Sequence, residues 1–169
     1  MFFSWRIFFI FCLIALFILQ QTLLVGFVFL AGRLNLVLVC LLLYLFFENK
    51  KKNFSLAAGV IVGLLFDIFS PQLFGVFTIS LTLACLLVKQ LADFFKKSDY
   101  IGFTTAFLAF FIFYFLCNHA VKFILGMIFK VQATGLSIDF ETLAFSLIFN
   151  FVLATPFYLL LRKKYGLAQ

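Results

Sequence analysis

The sequence predicts an all-α integral membrane protein, with six transmembrane helices forming a single domain over residues 1–169. Three observations carry this. The 169 residues are 66% hydrophobic and 11% charged, whereas a soluble domain runs near half apolar and about a quarter charged. No soluble core could hide that much apolar surface, so the expected solvent is lipid. Second, the apolar residues fall into six runs separated by short polar breaks, with approximate spans 7–31, 34–47, 54–69, 73–91, 100–121 and 142–161. Third, the cations segregate. Six spans put Arg6, Lys50, Lys51, Lys52, Lys89, Lys96, Lys97, Arg162, Lys163 and Lys164 on one side, against Arg33, Lys122 and Lys130 on the other. Such a bias marks the cytoplasmic face, so both termini are expected there.

The elements follow in order. Arg6 precedes the first run, which is too long for a signal-peptide core and has no small-residue cleavage pattern after it. An uncleaved first span is the expectation. Gln20 and Gln21 lie near its middle, where an amide needs a neighbouring helix. Gly32-Arg33-Leu34-Asn35 breaks the chain before a second run that is short for a span, about 18–20 Å at 1.5 Å per residue. Glu48 to Asn53 is the most polar loop. The third run carries Gly59, Gly63 and Asp67 at four-residue steps, on one helical stripe, and turns through Ser70-Pro71-Gln72. A fourth run extends to Leu91, and a loop with Lys96 and Lys97 follows it. The fifth run starts at Tyr100 and is longer than a span needs, so its later part, with Asn118, His119 and Lys122, is expected at the far surface. The sixth contains Asn150 and Pro156 and stops at Arg162-Lys163-Lys164.

Asp67 is the one acid deep within an apolar run, about 20 Å above the cytoplasmic start of its span. Gln20, Gln21 and Asn150 fall at similar depth, which suggests a shared polar layer in which Asp67 is hydrogen-bonded, and either paired with Arg33, the one nearby cation, or held as a neutral acid. Three roles stay open for Asp67: a structural hydrogen bond, a contact for a partner membrane protein, or a proton or cation relay. A relay needs further ionisable groups at that depth, and none is present. Gly59 and Gly63 form a small-residue face for close helix packing, within the bundle or against a partner. The loops holding Lys50–Lys52 and Arg162–Lys164 read as topology signals, the alternative being that they face anionic lipid or cytoplasmic filament partners.

Other chemistry finds no footing. The four cysteines, Cys12, Cys40, Cys85 and Cys117, all lie inside apolar runs without C-x-x-C spacing, so neither a disulfide framework nor a metal site is expected. With one histidine, His119, a histidine-based metal site is not expected either. No paired carboxylates, nucleophile–base set or phosphate loop is present, so the expectation is a non-enzyme without cofactors. The positive charge lies in loops between apolar runs, not on a basic face with surface aromatics, which argues against nucleic acid as a partner.

Gly59-x-x-x-Gly63-Leu-x-x-Asp67, followed by Ser70-Pro71 and Gly75, resembles the hallmark of the MreD family of rod shape-determining membrane proteins. The resemblance covers most of the chain: Leu34 to Tyr44 looks like that family's second span, and Asn150 through Thr155-Pro156 to Arg162-Lys163-Lys164 like its end. Gln72 and Phe74 depart from the smaller residues the family often has in the turn. The resemblance implies a non-catalytic component of the cell-elongation machinery in the bacterial cytoplasmic membrane. Its implied partners are MreC and, through it, the actin-like MreB, the glycosyltransferase RodA and RodA's partner transpeptidase. It also implies a fold similar to the substrate-binding subunits of energy-coupling-factor vitamin transporters, which supplies an alternative, a vitamin-binding membrane subunit. On the scaffold reading, Gly59, Gly63, Asp67, Pro71 and Gly75 would bind a partner helix or pack the bundle.

Overall fold

A computed structural model describes residues 2–24, 34–48, 53–71, 73–91, 100–130 and 140–164, and among these it contains six α-helices. They are α1 (Phe2–Leu24), α2 (Leu36–Phe47), α3 (Phe54–Phe69), α4 (Val76–Leu91), α5 (Tyr100–Phe129) and α6 (Phe140–Lys164). The bounds of α3 coincide with the expected run. Helix α4 begins three residues after the fourth run does, because Gly75 adopts a φ of +96° that helical geometry does not allow. Helix α5 continues unbroken to Phe129, the end of the fifth apolar run, and α6 covers residues 142–161 with a few more at each end. Residues 25–31 of the first run lie outside the described residues.

Helix α2 is the centre of the bundle and touches all five others. Its sequence, LVLVCLLLYLFF, has no polar face, and an all-apolar helix is a buried one. Val37, Leu41 and Leu42 have no exposed surface. Helices α3, α4 and α5 pack as consecutive hairpins beside it, while α1 and α6 flank it. Aromatic rings fasten the end where α2 finishes, α5 begins and α6 nears its close. Tyr158 is fully buried and stacks on Phe103, with centroids 4.2 Å apart and planes 8° apart. Phe46, Phe47 and Tyr100 pack round the same tyrosine.

The outer surface is apolar. Ile101 is 80% exposed, Phe140 73% and Leu160 67%, which is stable only against lipid or another apolar partner. Among the described residues, α5 and α6 are long and apolar enough to cross a bilayer, and Ile7–Thr22, α2, α3 and α4 are shorter apolar stretches. Pro156 lies on the exposed side of α6 and α6 runs on beyond it to Lys164.

Candidate functional site: polar side chains at three helix starts

Helices that stop inside an apolar medium leave N–H groups that no water can reach, and each needs an acceptor. Helix α4 has Gly75 before its first residue, so it has no capping side chain of its own. Asp67, from the last turn of α3, supplies the cap instead. Its Oδ1 accepts the Phe77 N–H at 2.9 Å, and its Oδ2 accepts the Thr78 N–H at 3.0 Å and the Thr78 hydroxyl. The carboxylate is 4% exposed and faces the positive end of the α4 dipole, where an anion is favoured. Val76 N–H closes the turn on the Leu73 carbonyl at 3.3 Å, and Ile79 N–H reaches Gly75 O at 3.0 Å.

The glycine stripe makes this approach possible. A Cβ on Gly63 would stand 2.5 Å from Thr78 Cα, 3.0 Å from Thr78 N and 3.2 Å from Phe77 O, so α4 backbone lies directly on it. A Cβ on Gly59 would meet Cys85 Sγ at 3.0 Å. Gly59, Gly63 and Asp67 are all buried, and the helix that lies in their groove is α4. Of the two expected uses of the stripe, packing the bundle or binding a partner helix, the contact with α4 is packing within the bundle. Pro71 is exposed in the turn, outside the stripe.

The start of α2 is closed from three directions. Asn35 Oδ1 accepts the Leu38 N–H at 3.1 Å as an ordinary N-cap. Gln20 Oε1, from α1, accepts the Val37 N–H at 3.4 Å, and Asn150 Oδ1, from α6, accepts the Asn35 N–H at 2.8 Å. Asn150 Nδ2 donates to Ser146 O at 2.7 Å, so both ends of that amide are engaged. At the opposite end of the bundle, Glu48 accepts the Ser55 N–H at 3.1 Å and its hydroxyl, closing α3, whose N-cap Asn53 makes no side-chain cap bond.

The expected layer is thus divided. Gln20 and Asn150 meet at the start of α2, as a shared layer would require, but Asp67 joins a separate cap on α4. Gln21 is exposed, because one residue step turns it about 100° from Gln20. Arg162 is half-buried and Lys163 exposed, while Arg33, Lys50, Lys51, Lys52 and the Lys164 side chain lie outside the described residues. Asn35, Glu48 and Thr78 were missed. Asn35 directly before an apolar run is a readable N-cap signal, whereas the Glu48–Ser55 and Thr78–Asp67 pairs have no sequence signature. Among the described residues no three His, Cys, Asp or Glu side chains gather as a metal site.

Among the described residues these features define an all-helical protein with an apolar outer surface, whose buried polar side chains hold helix ends in place. The chain belongs to the MreD family: the family model for the rod shape-determining protein MreD matches residues 1–164. Its family role is therefore in determining rod cell shape. No curated protein and no solved structure matches the chain.

Proposed function

We propose that this protein is a non-catalytic membrane scaffold of the bacterial cell-elongation complex. It binds MreC and, through it, helps MreB, RodA and RodA's partner transpeptidase to direct lateral peptidoglycan synthesis. In this reading it is a six-span protein of the cytoplasmic membrane with both termini inside, its fold similar to that of vitamin-transporter substrate-binding subunits. The observation that carries the reading is the Asp67 cap. The one deep acid accepts three hydrogen bonds from α4 and is a fixed part of the frame, which suits a docking platform better than a relay. The glycine stripe supports α3–α4 packing, so MreC is assigned to the lipid-facing surface outside that stripe. Co-purification from native membranes tests the proposal. MreC is expected to come down with the tagged protein, and depletion is expected to round the cells. Saturable binding of a vitamin by the purified protein, with no MreC retained and rod shape kept on depletion, would favour the transporter subunit instead.

A further inference from the structure

The starts of α3 and the end of α4 enclose an open recess of about 300 Å³ lined by Asn53, Leu56, Leu86, Lys89 and Gln90. Its lining is divided by chemistry. Leu56 and Leu86 form an apolar wall one turn inward from the helix ends, while Asn53, Lys89 and Gln90 form a polar rim at those ends. The rim carries the cation Lys89. Asn53 Oδ1 accepts a hydrogen bond from Lys89 Nζ at 2.6 Å, which fixes the ammonium at the mouth of the recess. From Leu86 the exposed face of α4 continues through Leu83 and Ile79, at three- and four-residue spacing, so a straight apolar track leads away from the rim. In the chain, Lys50, Lys51 and Lys52 immediately precede Asn53.

The geometry points to a binding site for one anionic phospholipid, its phosphate held by Lys89 and Gln90 and one acyl chain laid over Leu86, Leu83 and Ile79. A cation and an amide at headgroup level above an apolar track match the two halves of such a lipid, and basic clefts between membrane helices bind acidic headgroups. A free anion would use only the rim. This inference rests on the protein lying in a bilayer, but not on its binding MreC.

The test is native mass spectrometry of the purified full-length protein from mixed phosphatidylglycerol and phosphatidylcholine nanodiscs. Wild type is expected to retain phosphatidylglycerol preferentially, and Lys89→Gln to lower that preference about fivefold, the worth of one lysine near an anionic surface. Lys89→Arg should restore it, and Leu86→Trp, which fills the recess without touching its charge, should lower retention as well. Each variant is compared only if its melting temperature in pure phosphatidylcholine matches wild type, and Leu83→Trp serves as the alternative where Leu86→Trp does not. Unchanged preference in Lys89→Gln overturns the site. So does displacement of the lipid by millimolar inorganic phosphate, which would identify a free-anion site. Loss of preference only on replacing Lys50, Lys51 and Lys52 would place the lipid on the loop and overturn the recess. Because MreC is absent from this assay, its result is independent of the co-purification experiment.

Discussion

A carboxyl group is tolerated inside an apolar bundle when its oxygens accept hydrogen bonds, and Asp67 accepts them from two backbone N–H groups and a hydroxyl. Removing it leaves two N–H groups at the start of α4 facing apolar surroundings, where an unsatisfied donor is expensive. Asp67→Ala is therefore expected to lower stability by about 2–3 kcal/mol, at the upper end for hydrogen bonds to a charged group. Asp67→Asn keeps one acceptor oxygen but turns an NH₂ toward a donor, so its loss should approach that of alanine. Thr78→Val removes only the hydroxyl bond and should lose about 1 kcal/mol. Denaturant unfolding in micelles gives the order, and amide exchange at Phe77 and Thr78 gives the place. Equal stability of wild type and Asp67→Ala would remove the cap as an explanation for the acid. Glu48 performs the same service for α3 but is half-buried, so Glu48→Gln should be milder than Asp67→Asn.

Between elements, the decisive contact is backbone against backbone. At Gly63 an added methyl would meet the Cα and N of Thr78, which cannot rotate away, so α3 and α4 must separate. Gly63→Ala is expected to lose about 1–3 kcal/mol, the usual range for overpacking. Gly59 differs because its obstacle is the Cys85 sulfur, the end of a side chain. Gly59→Ala should lose less, and Cys85→Ala beside it should recover most of the loss. A double-mutant cycle read by thermal unfolding checks this, and equal losses at the two glycines would contradict it. Gly75 is a third case: a methyl there finds space, with its nearest contact at 3.8 Å, but the φ of +96° is strained for any L side chain. Gly75→Ala should lose about 1–2 kcal/mol through backbone strain alone. If such losses also weaken the Asp67 cap, the Gly63 and Asp67 variants will be less than additive.

At the scale of the whole molecule, the positions of the helices were legible in the sequence because lipid-facing and core residues are alike apolar, and polar residues fall where helices end. The centrality of α2 was legible only in hindsight, from its lack of any polar face. The pairing of polar groups with helix starts was not legible. Asn150 caps a turn 115 residues away, and a side chain at that separation is placed by the fold, not by any local pattern. The same limit explains why one polar layer was expected where two caps exist, since equal depth in a bilayer does not imply a common neighbour. Orientation belongs to this scale, because it depends on the summed cations of all loops and on no single one. With the four native cysteines replaced by serine or alanine, single cysteines at Lys97→Cys and Lys163→Cys are expected to react with a membrane-impermeant maleimide only after the cytoplasmic face is opened. Cysteines at Lys122→Cys and Lys130→Cys should react from outside in intact cells. The informative case is Lys97, which follows α4 and precedes α5: with the N-terminus inside, labelling there from outside would mean that an odd number of α1 to α4 cross, and the six-span arrangement would fall. Outside labelling of Lys163→Cys with Lys97→Cys protected would move the error to α5 or α6.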